Sequence, residues 1–238
     1  MFRKFAVIVL LFSVLSCAKS RASNEPAQET IIEPFYADLY YILNNADPFL
    51  YILVDKERAL SSDYEPEDLV VLRNASYRVN RNDLSLREIA ANSLEEMAAA
   101  ALADGITLVV SSTYRSYSYQ AQVYERWVGQ LGRAQADRVS ARPGHSQHQL
   151  GLVVDFGSIT NDFAQTPQGR WVEANASRFG WSLSYPQGYE EITGYSWESW
   201  HYRYVGRDLA HFIDTYFNGI QQHALLFLHT HLNEQILP

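Results

Sequence analysis

Two short segments constrain this chain more than any other feature. Ser146-Gln147-His148-Gln149-Leu150-Gly151-Leu152-Val153-Val154-Asp155 carries a histidine and an aspartate seven positions apart, and Glu198-Ser199-Trp200-His201 adds a second histidine some forty residues later. Catalytic zinc sites use three protein ligands of the His, Asp or Glu type and leave a fourth position to water, which the metal acidifies. His148, Asp155 and His201 are the candidate ligands of one zinc ion, and Glu198 is left over as a carboxylate placed to act as general base. For these groups to meet, the backbone must obey a restriction. In a continuous strand, side chains an odd number of positions apart point to opposite faces, so Gly151 must mark a bend or the start of the strand, with His148 on the loop before it. Likewise Glu198 and His201 converge only if the strand begins after Glu198 or a turn intervenes.

The remaining pattern supplies elements around those segments. Ser85 and Glu88 have capping-box spacing and open a predicted helix whose apolar face is Leu94, Met97, Ala98 and Ala101, with Gly105 as its stop. Ile106 to Ser111 reads as a strand leading into Tyr114-Arg115-Ser116. Tyr117 to Leu131 then reads as a helix with Ala121, Val123, Tyr124 and Trp127 on its packed side. Arg115 therefore sits at a strand-to-helix junction, where side chains commonly face a cleft. Leu152 to Phe156 and Trp200 to Val205 read as further strands, and Pro167 to Phe179 as a helix ended by Gly180. Phe35 to Val54 reads as a helix and a strand joined by the turn Asn44-Asn45-Ala46-Asp47-Pro48, and a helical pattern follows Gly206. There is no internal repeat.

Charge and the first residues exclude some classes. The formal net charge is −8, and lysine occurs only at positions 4, 19 and 56, so no basic stripe exists for a nucleic-acid backbone. Arg3 and Lys4 precede the apolar run Phe5 to Leu15, too short to span a bilayer and suited to a secretory signal. The only cysteine, Cys17, follows Val14-Leu15-Ser16, which resembles the bacterial lipobox. The alternative is an ordinary thiol within a signal peptide. The lipobox reading implies lipidation of Cys17 and attachment to a membrane outside the cytoplasm. Residues 18 to 33 are small and polar, as in a flexible tether.

Beyond the ligands, Ser112-Thr113-Tyr114-Arg115-Ser116 with Gln120, Pro143-Gly144-His145-Ser146, Tyr185-Pro186, Thr193-Gly194-Tyr195 and Trp200-His201-Tyr202-Arg203-Tyr204-Val205-Gly206 follow in order at natural spacing. Together with Ser-x-His-(x)6-Asp and Glu-x-Trp-His, they resemble the VanY-type D-alanyl-D-alanine carboxypeptidases, zinc enzymes that trim peptidoglycan stem peptides. The resemblance covers roughly residues 85 to 210. Val153 and Ser199 depart from it, where the family has a small residue and often a proline.

The resemblance implies an α+β fold in which a small antiparallel sheet carries the zinc site and helices pack on the other face. It implies zinc-dependent removal of the terminal D-Ala from stem peptides, with Glu198 as base. Arg115 would stabilise the oxyanion or hold a substrate carboxylate, two tasks that its planar fork of donors suits equally. Gln120 and Ser146 are the next substrate-binding candidates. His145 either orients Ser146 or fills the Pro143-Gly144 turn. Tyr195, Trp197, Trp200, Tyr202 and Tyr204 look like a binding wall, but alternate aromatics on a strand are more often core, and Trp200 and Tyr204 are assigned to structure. His211, His223, His229 and His231 lack a third ligand nearby and are discounted as a second metal site.

The expected organisation is a lipoprotein signal peptide over 1–16, the lipidated cysteine and tether over 17–33, and an accessory segment over 34–82. The zinc carboxypeptidase domain follows over 83–210, and a C-terminal helix and tail over 211–238. The expected partners are a peptidoglycan stem peptide and a membrane, with no nucleic acid and a monomeric chain. Two other functions fit the same residues: an L,D-carboxypeptidase acting on tetrapeptide stems, and a non-catalytic wall-binding lipoprotein that keeps zinc for structure.

Overall fold

A computed structural model describes residues 29–235. The apolar run, Cys17 and most of the predicted tether lie outside the described residues. Among the described residues, no helix is long and apolar enough to cross a membrane.

The frame of the molecule is a five-stranded sheet of β2 (Arg78–Val79), β4 (Val109–Ser112), β5 (Val153–Phe156), β7 (His201–Tyr204) and β6 (Trp181–Leu183), in the order β2-β4-β5-β7-β6. It is antiparallel except for the β2/β4 pair. A separate antiparallel pair joins β1 (Leu69–Val71) to β3 (Ser85–Arg87). Helix α2 (Glu88–Ala103) packs on one face of the large sheet, burying Ala90, Leu94, Met97, Ala98 and Ala101 in one cluster with Val154, Phe156, Tyr202 and Tyr204. Alternation along β5 and β7 sends those four residues to the helix side and sends Asp155, His201 and Arg203 to the other. Complete burial of Leu94 and Met97 stabilises this layer by roughly 2 kcal/mol each.

The opposite face carries the candidate site and is framed by α3 (Tyr117–Leu131) and α4 (Arg133–Val139). A second core joins α1 (Glu29–Asn45), α5 (Arg207–Phe217) and α6 (Gln221–Gln235). The fully buried guanidinium of Arg203 ties that region to the sheet by donating from Nη2 to the carbonyls of Leu50 and Ile52, both at 2.9 Å.

Several predicted elements differ. The capping box at Ser85 and Glu88 does not form. Ser85–Arg87 is strand β3, its register set by Val71 and Leu69 opposite, and the Ser85 amide donates to Thr113 Oγ1 at 2.9 Å, so the helix begins at Glu88. Long-range pairing here overrides a local signal worth about 1 kcal/mol. No strand follows the turn at residues 44–48; Pro48–Tyr51 is a 3-10 turn, and Leu53 and Val54 are buried without pairing. Helix α1 starts inside the stretch read as tether. The packed side of α3 is narrower than predicted: Gln120 and Tyr124 are buried, whereas Trp127 is exposed and borders the cleft.

Candidate metal centre and active site

Three neighbouring strands deliver the site. Asp155 and His201 are direct register partners across β5 and β7, and Ser112 on β4 is the partner of Asp155 on its other side. Directly opposed residues of an antiparallel pair place their side chains on one face, so pairing alone brings Asp155 beside His201. His148 arrives from a 3-10 turn, Gln147–Leu150, capped by the Ser146 hydroxyl, which accepts from the His148 amide at 3.3 Å. Gly151 ends that turn in the left-handed region at φ +69°, and a Cβ there would sit 3.0 Å from Arg87 Cγ and Leu69 Cδ2. This is the break before the strand that convergence of His148 with Asp155 requires, and glycine tolerates it where other residues are strained. Glu198 precedes β7, and the His201 amide donates to the Glu198 carbonyl at 3.3 Å, so a turn separates them.

The resulting distances describe a tight, buried cluster. His148 Nε2 lies 3.3 Å from Asp155 Oδ2, His201 Nδ1 lies 3.2 Å from Asp155 Oδ1, and His201 Nδ1 lies 3.2 Å from Glu198 Oε2. His148, Asp155 and His201 can offer ligand atoms all within 4.8 Å of one another. A tetrahedron with zinc bonds of 2.0–2.1 Å has edges of about 3.3 Å, the scale of the two His–Asp separations, each made to a different carboxylate oxygen.

The electronic arrangement points the same way. His148 Nδ1 stands 2.6 Å from the Thr113 carbonyl, so that nitrogen must carry the proton and Nε2 the lone pair. Burial, helped by the Arg115 charge, lowers the His148 pKa to about 4, leaving the imidazole neutral at pH 7. A lone pair then faces a carboxylate at 3.3 Å in a buried site, where a cation between them relieves the repulsion. Asp155 Oδ1 is also buried, with His201 Nδ1 at 3.2 Å beside it.

Burial would raise the Asp155 carboxyl, but His148 and His201, when protonated, override it and hold it well below the usual carboxylate range. His201 behaves oppositely to His148. Burial disfavours its charge, yet Asp155 and Glu198 raise its pKa to about 9. Burial raises Glu198 above its ordinary value, against the attraction of His201.

These shifts give a measurable consequence. At pH 7 the metal-free protein carries a proton on His201, whose pKa is raised to about 9, and none on His148, at about 4. A ligating imidazole must be neutral, so binding zinc at pH 7 is expected to release about one proton. Zinc affinity should therefore fall as pH drops below 9, with slope near one down to the region where His148 titrates. Calorimetry in buffers of different ionisation enthalpy counts the released protons, and a count near zero would show that His201 is neutral in the metal-free protein.

The cluster opens into a cleft of about 420 Å³ that Arg115, Gln120 and Ser146 also line. Arg115 Nη1 donates to Gln120 Oε1 at 2.7 Å and Nη2 to Ser112 Oγ at 3.1 Å, and burial lowers its pKa. Gln120 is held at both ends of its amide: Oε1 accepts from Arg115, and Nε2 donates to the Ala141 carbonyl at 2.6 Å with Ser140 Oγ at 3.5 Å. It aims Arg115 and also lines the cleft, where the sequence places it as a substrate contact. Ser146 lines the cleft, and its hydroxyl oxygen accepts in the turn. Of the two readings for His145, neither is what it does in full: its Nδ1 bonds the Asp55 carbonyl at 2.8 Å, tying the turn to the N-terminal segment.

Tyr195, one of the aromatics that look like a binding wall in the sequence, does line the cleft, and Tyr185 and Asn161, to which the sequence gives no role, join it. The Tyr185 ring lies 4.7 Å from the His201 imidazole and 4.8 Å from the Tyr195 ring, and both tyrosines line the cleft. Tyr185-Pro186 was a family-like pair without an assigned role. Asn161 holds the loop of Glu198 from both sides, donating to the Trp197 carbonyl and accepting from the Ser199 amide, both at 3.0 Å. Nothing local in the sequence marks it. Tyr204 is core, as expected, whereas Trp200 packs on the core and also borders the cleft.

The sequence matches a family model described as VanY, D-alanyl-D-alanine carboxypeptidase, over residues 83–207. It is 35% identical to the putative carboxypeptidase YodJ of Bacillus subtilis (strain 168) over 206 residues, covering 81% of this chain and 75% of that protein. A solved structure of the LdcB LD-carboxypeptidase superposes with a TM-score of 0.67 at 34% identity, covering 72% of this chain and 83% of that one. A variant of the vancomycin-resistance D,D-pentapeptidase VanY, in complex with Zn(II), superposes with a TM-score of 0.62 at 32% identity, covering 75% and 99%. The zinc-bound relative and the His148–Asp155–His201 group agree on the cofactor, one zinc ion.

Proposed function

The chain belongs to the VanY D-alanyl-D-alanine carboxypeptidase family, and from that premise we propose that it is a zinc-dependent D,D-carboxypeptidase removing the terminal D-Ala from peptidoglycan stem peptides. The observation that carries this reading is a second carboxylate beside the ligand set: Glu198 stands 3.2 Å from a candidate ligand without being needed to complete the His148–Asp155–His201 set. A site built only for structure, as in a non-catalytic wall-binding protein, has no use for it.

Bound zinc supplies a Lewis acid that polarises the scissile carbonyl and acidifies a water molecule. Glu198, with its proton affinity raised by burial, takes a proton from the attacking water as the C–O bond forms. It returns that proton to the amide nitrogen as the C–N bond breaks, so D-Ala leaves as a neutral amine. Arg115, fixed by Ser112 and Gln120, points its remaining donors at the cleft, where they hold the oxyanion or the terminal carboxylate. Ser146 donates its hydroxyl proton to the peptide. His148 and His201 keep their orientation through Thr113 and Tyr185. Lipidation at Cys17 would hold the enzyme at the membrane facing its substrate; this rests on the residues preceding Cys17.

A second reading is favoured by one observation: the likeness to the LdcB LD-carboxypeptidase has the higher TM-score, 0.67 against 0.62. In that case the substrate is a tetrapeptide ending in a single D-Ala.

Incubating the zinc-loaded protein with a pentapeptide ending in D-Ala-D-Ala, and separately with the tetrapeptide, separates the two. Mass spectrometry should find one alanine lost from the pentapeptide and the tetrapeptide intact. Loss from the tetrapeptide alone would move the assignment to the L,D class. Cleavage of neither, with zinc stoichiometrically bound, would sink the carboxypeptidase reading.

A further inference from the structure

The family match begins at residue 83, yet residues 55–64, well before it, run along both loops that carry the site. Asp55 is a buried hub. Its carboxylate accepts from the amides of Glu57 and Arg58, each at 2.9 Å, and from Gln222 Nε2 on α6 at 3.0 Å, while its carbonyl accepts from His145 Nδ1 at 2.8 Å. The Leu60 amide donates to the Gly144 carbonyl at 2.9 Å, and Gln149 Nε2 donates to the carbonyls of Ser61 and Tyr64 at 2.9 and 3.1 Å. These contacts brace the turn that delivers Ser146 and His148.

Lys56 reaches the other loop. Its ammonium donates to the Asp137 carbonyl and sits 3.5 Å above the centroid of the Tyr195 ring. Its stem fills the space beside Gly194, where a Cβ would come within 2.5 Å of Lys56 Cγ and φ is +76°, so the loop accepts the lysine only because that position is glycine. Tyr195 is buried, lines the cleft with Glu198, and leans on Tyr185, which contacts His201. Burial lowers the lysine to about 8; Asp137 and Glu198 favour its charge and Arg142 opposes it, so it is still largely cationic at pH 7.

We propose that Lys56 is a positioning residue of the substrate cleft: its ammonium over the Tyr195 ring holds that ring as the wall beside Glu198. The effect on substrate rests on the peptidase reading given above; the hold on Tyr195 does not. A desolvated ammonium over an aromatic face contributes a directional attraction that a hydrophobic stem of the same length lacks.

The test compares Lys56→Met, which keeps the stem and loses the charge, with Lys56→Arg, which restores a cation. Each is made in the full-length, zinc-loaded protein carrying 3-fluorotyrosine, with the Tyr195 resonance assigned through Tyr195→Phe. In Lys56→Met the Tyr195 fluorine resonance should shift and broaden, and KM for the cleaved peptide should rise about 5- to 10-fold with kcat within twofold. Zinc content should be unchanged, and Lys56→Arg should return both readings toward the parent. Adding Lys56→Met to Tyr195→Leu should then raise KM no further.

An unmoved resonance in Lys56→Met would overturn the proposal. So would a fall in kcat together with melting temperature that arginine does not rescue, since that marks a merely structural role. A parent protein that cleaves neither peptide would sink the peptidase reading instead, and the resonance alone would decide whether Lys56 holds Tyr195.

Discussion

Glu198→Ala is expected to bind one zinc ion and to lose about 10³-fold or more in kcat, within the 10²–10⁴-fold range of a positioned acid or base. The expectation follows from separable duties. Glu198 Oε2 lies 3.2 Å from His201 Nδ1, but the three candidate ligand atoms come from His148, Asp155 and His201 without it. Its loop is held by backbone, through the Glu198 amide on the Tyr185 carbonyl at 3.0 Å, and by Asn161 on both flanking residues. Removing the carboxylate therefore removes the proton acceptor and leaves the scaffold. Its loss should also lower the proton affinity of His201, which Glu198 helps to raise, so the variant should bind zinc with less competition from protons near neutral pH. Metal analysis after gel filtration, together with single-turnover kinetics, checks both halves. A variant that keeps its turnover would assign the base elsewhere, and one that loses its zinc would make Glu198 a ligand.

His201→Ala is expected to fail differently, by losing the metal. Apparent zinc affinities of 10–16 kcal/mol spread over three or four ligands give about 3 kcal/mol for one, so affinity should fall on the order of 10²-fold or more. Turnover should fall with occupancy and be partly restored by excess zinc. The deletion has a second consequence. His201 is buried between Asp155 and Glu198, and removing it leaves two carboxylates facing a buried space without the imidazole between them. Like charges so placed raise each other's proton affinity, so the metal-free variant should be less stable at pH 8 than at pH 5. Competition with a chromogenic chelator measures the first effect, and urea unfolding at the two pH values measures the second. Zinc affinity equal to the parent's would remove His201 from the ligand set.

The chemistry of His148, Asp155, His201 and Glu198 was legible because residue type and spacing declare it, and the need for a break near Gly151 followed from strand alternation alone. Helix α3 was legible to the residue, Tyr117–Leu131, because Ser116 caps it and its contacts are local. The strand at Ser85–Arg87 was not, because what makes it a strand is Leu69–Val71 across the ladder and Thr113 beneath it.

By itself, then, the sequence determined which groups can hold a zinc ion, which carboxylate is spare, and where the backbone must bend. Only long-range packing made Asp155 and His201 register partners, set Gln120 against Arg115, and brought Tyr185, Tyr195, Asn161 and Lys56 around the site. The physical reason is range. Ligand chemistry and turn conformation are properties of a residue and its chain neighbours, whereas ring stacking, aimed hydrogen bonds and strand register join residues far apart in the chain, and no local pattern encodes which of many equally ordinary tyrosines or asparagines will meet them.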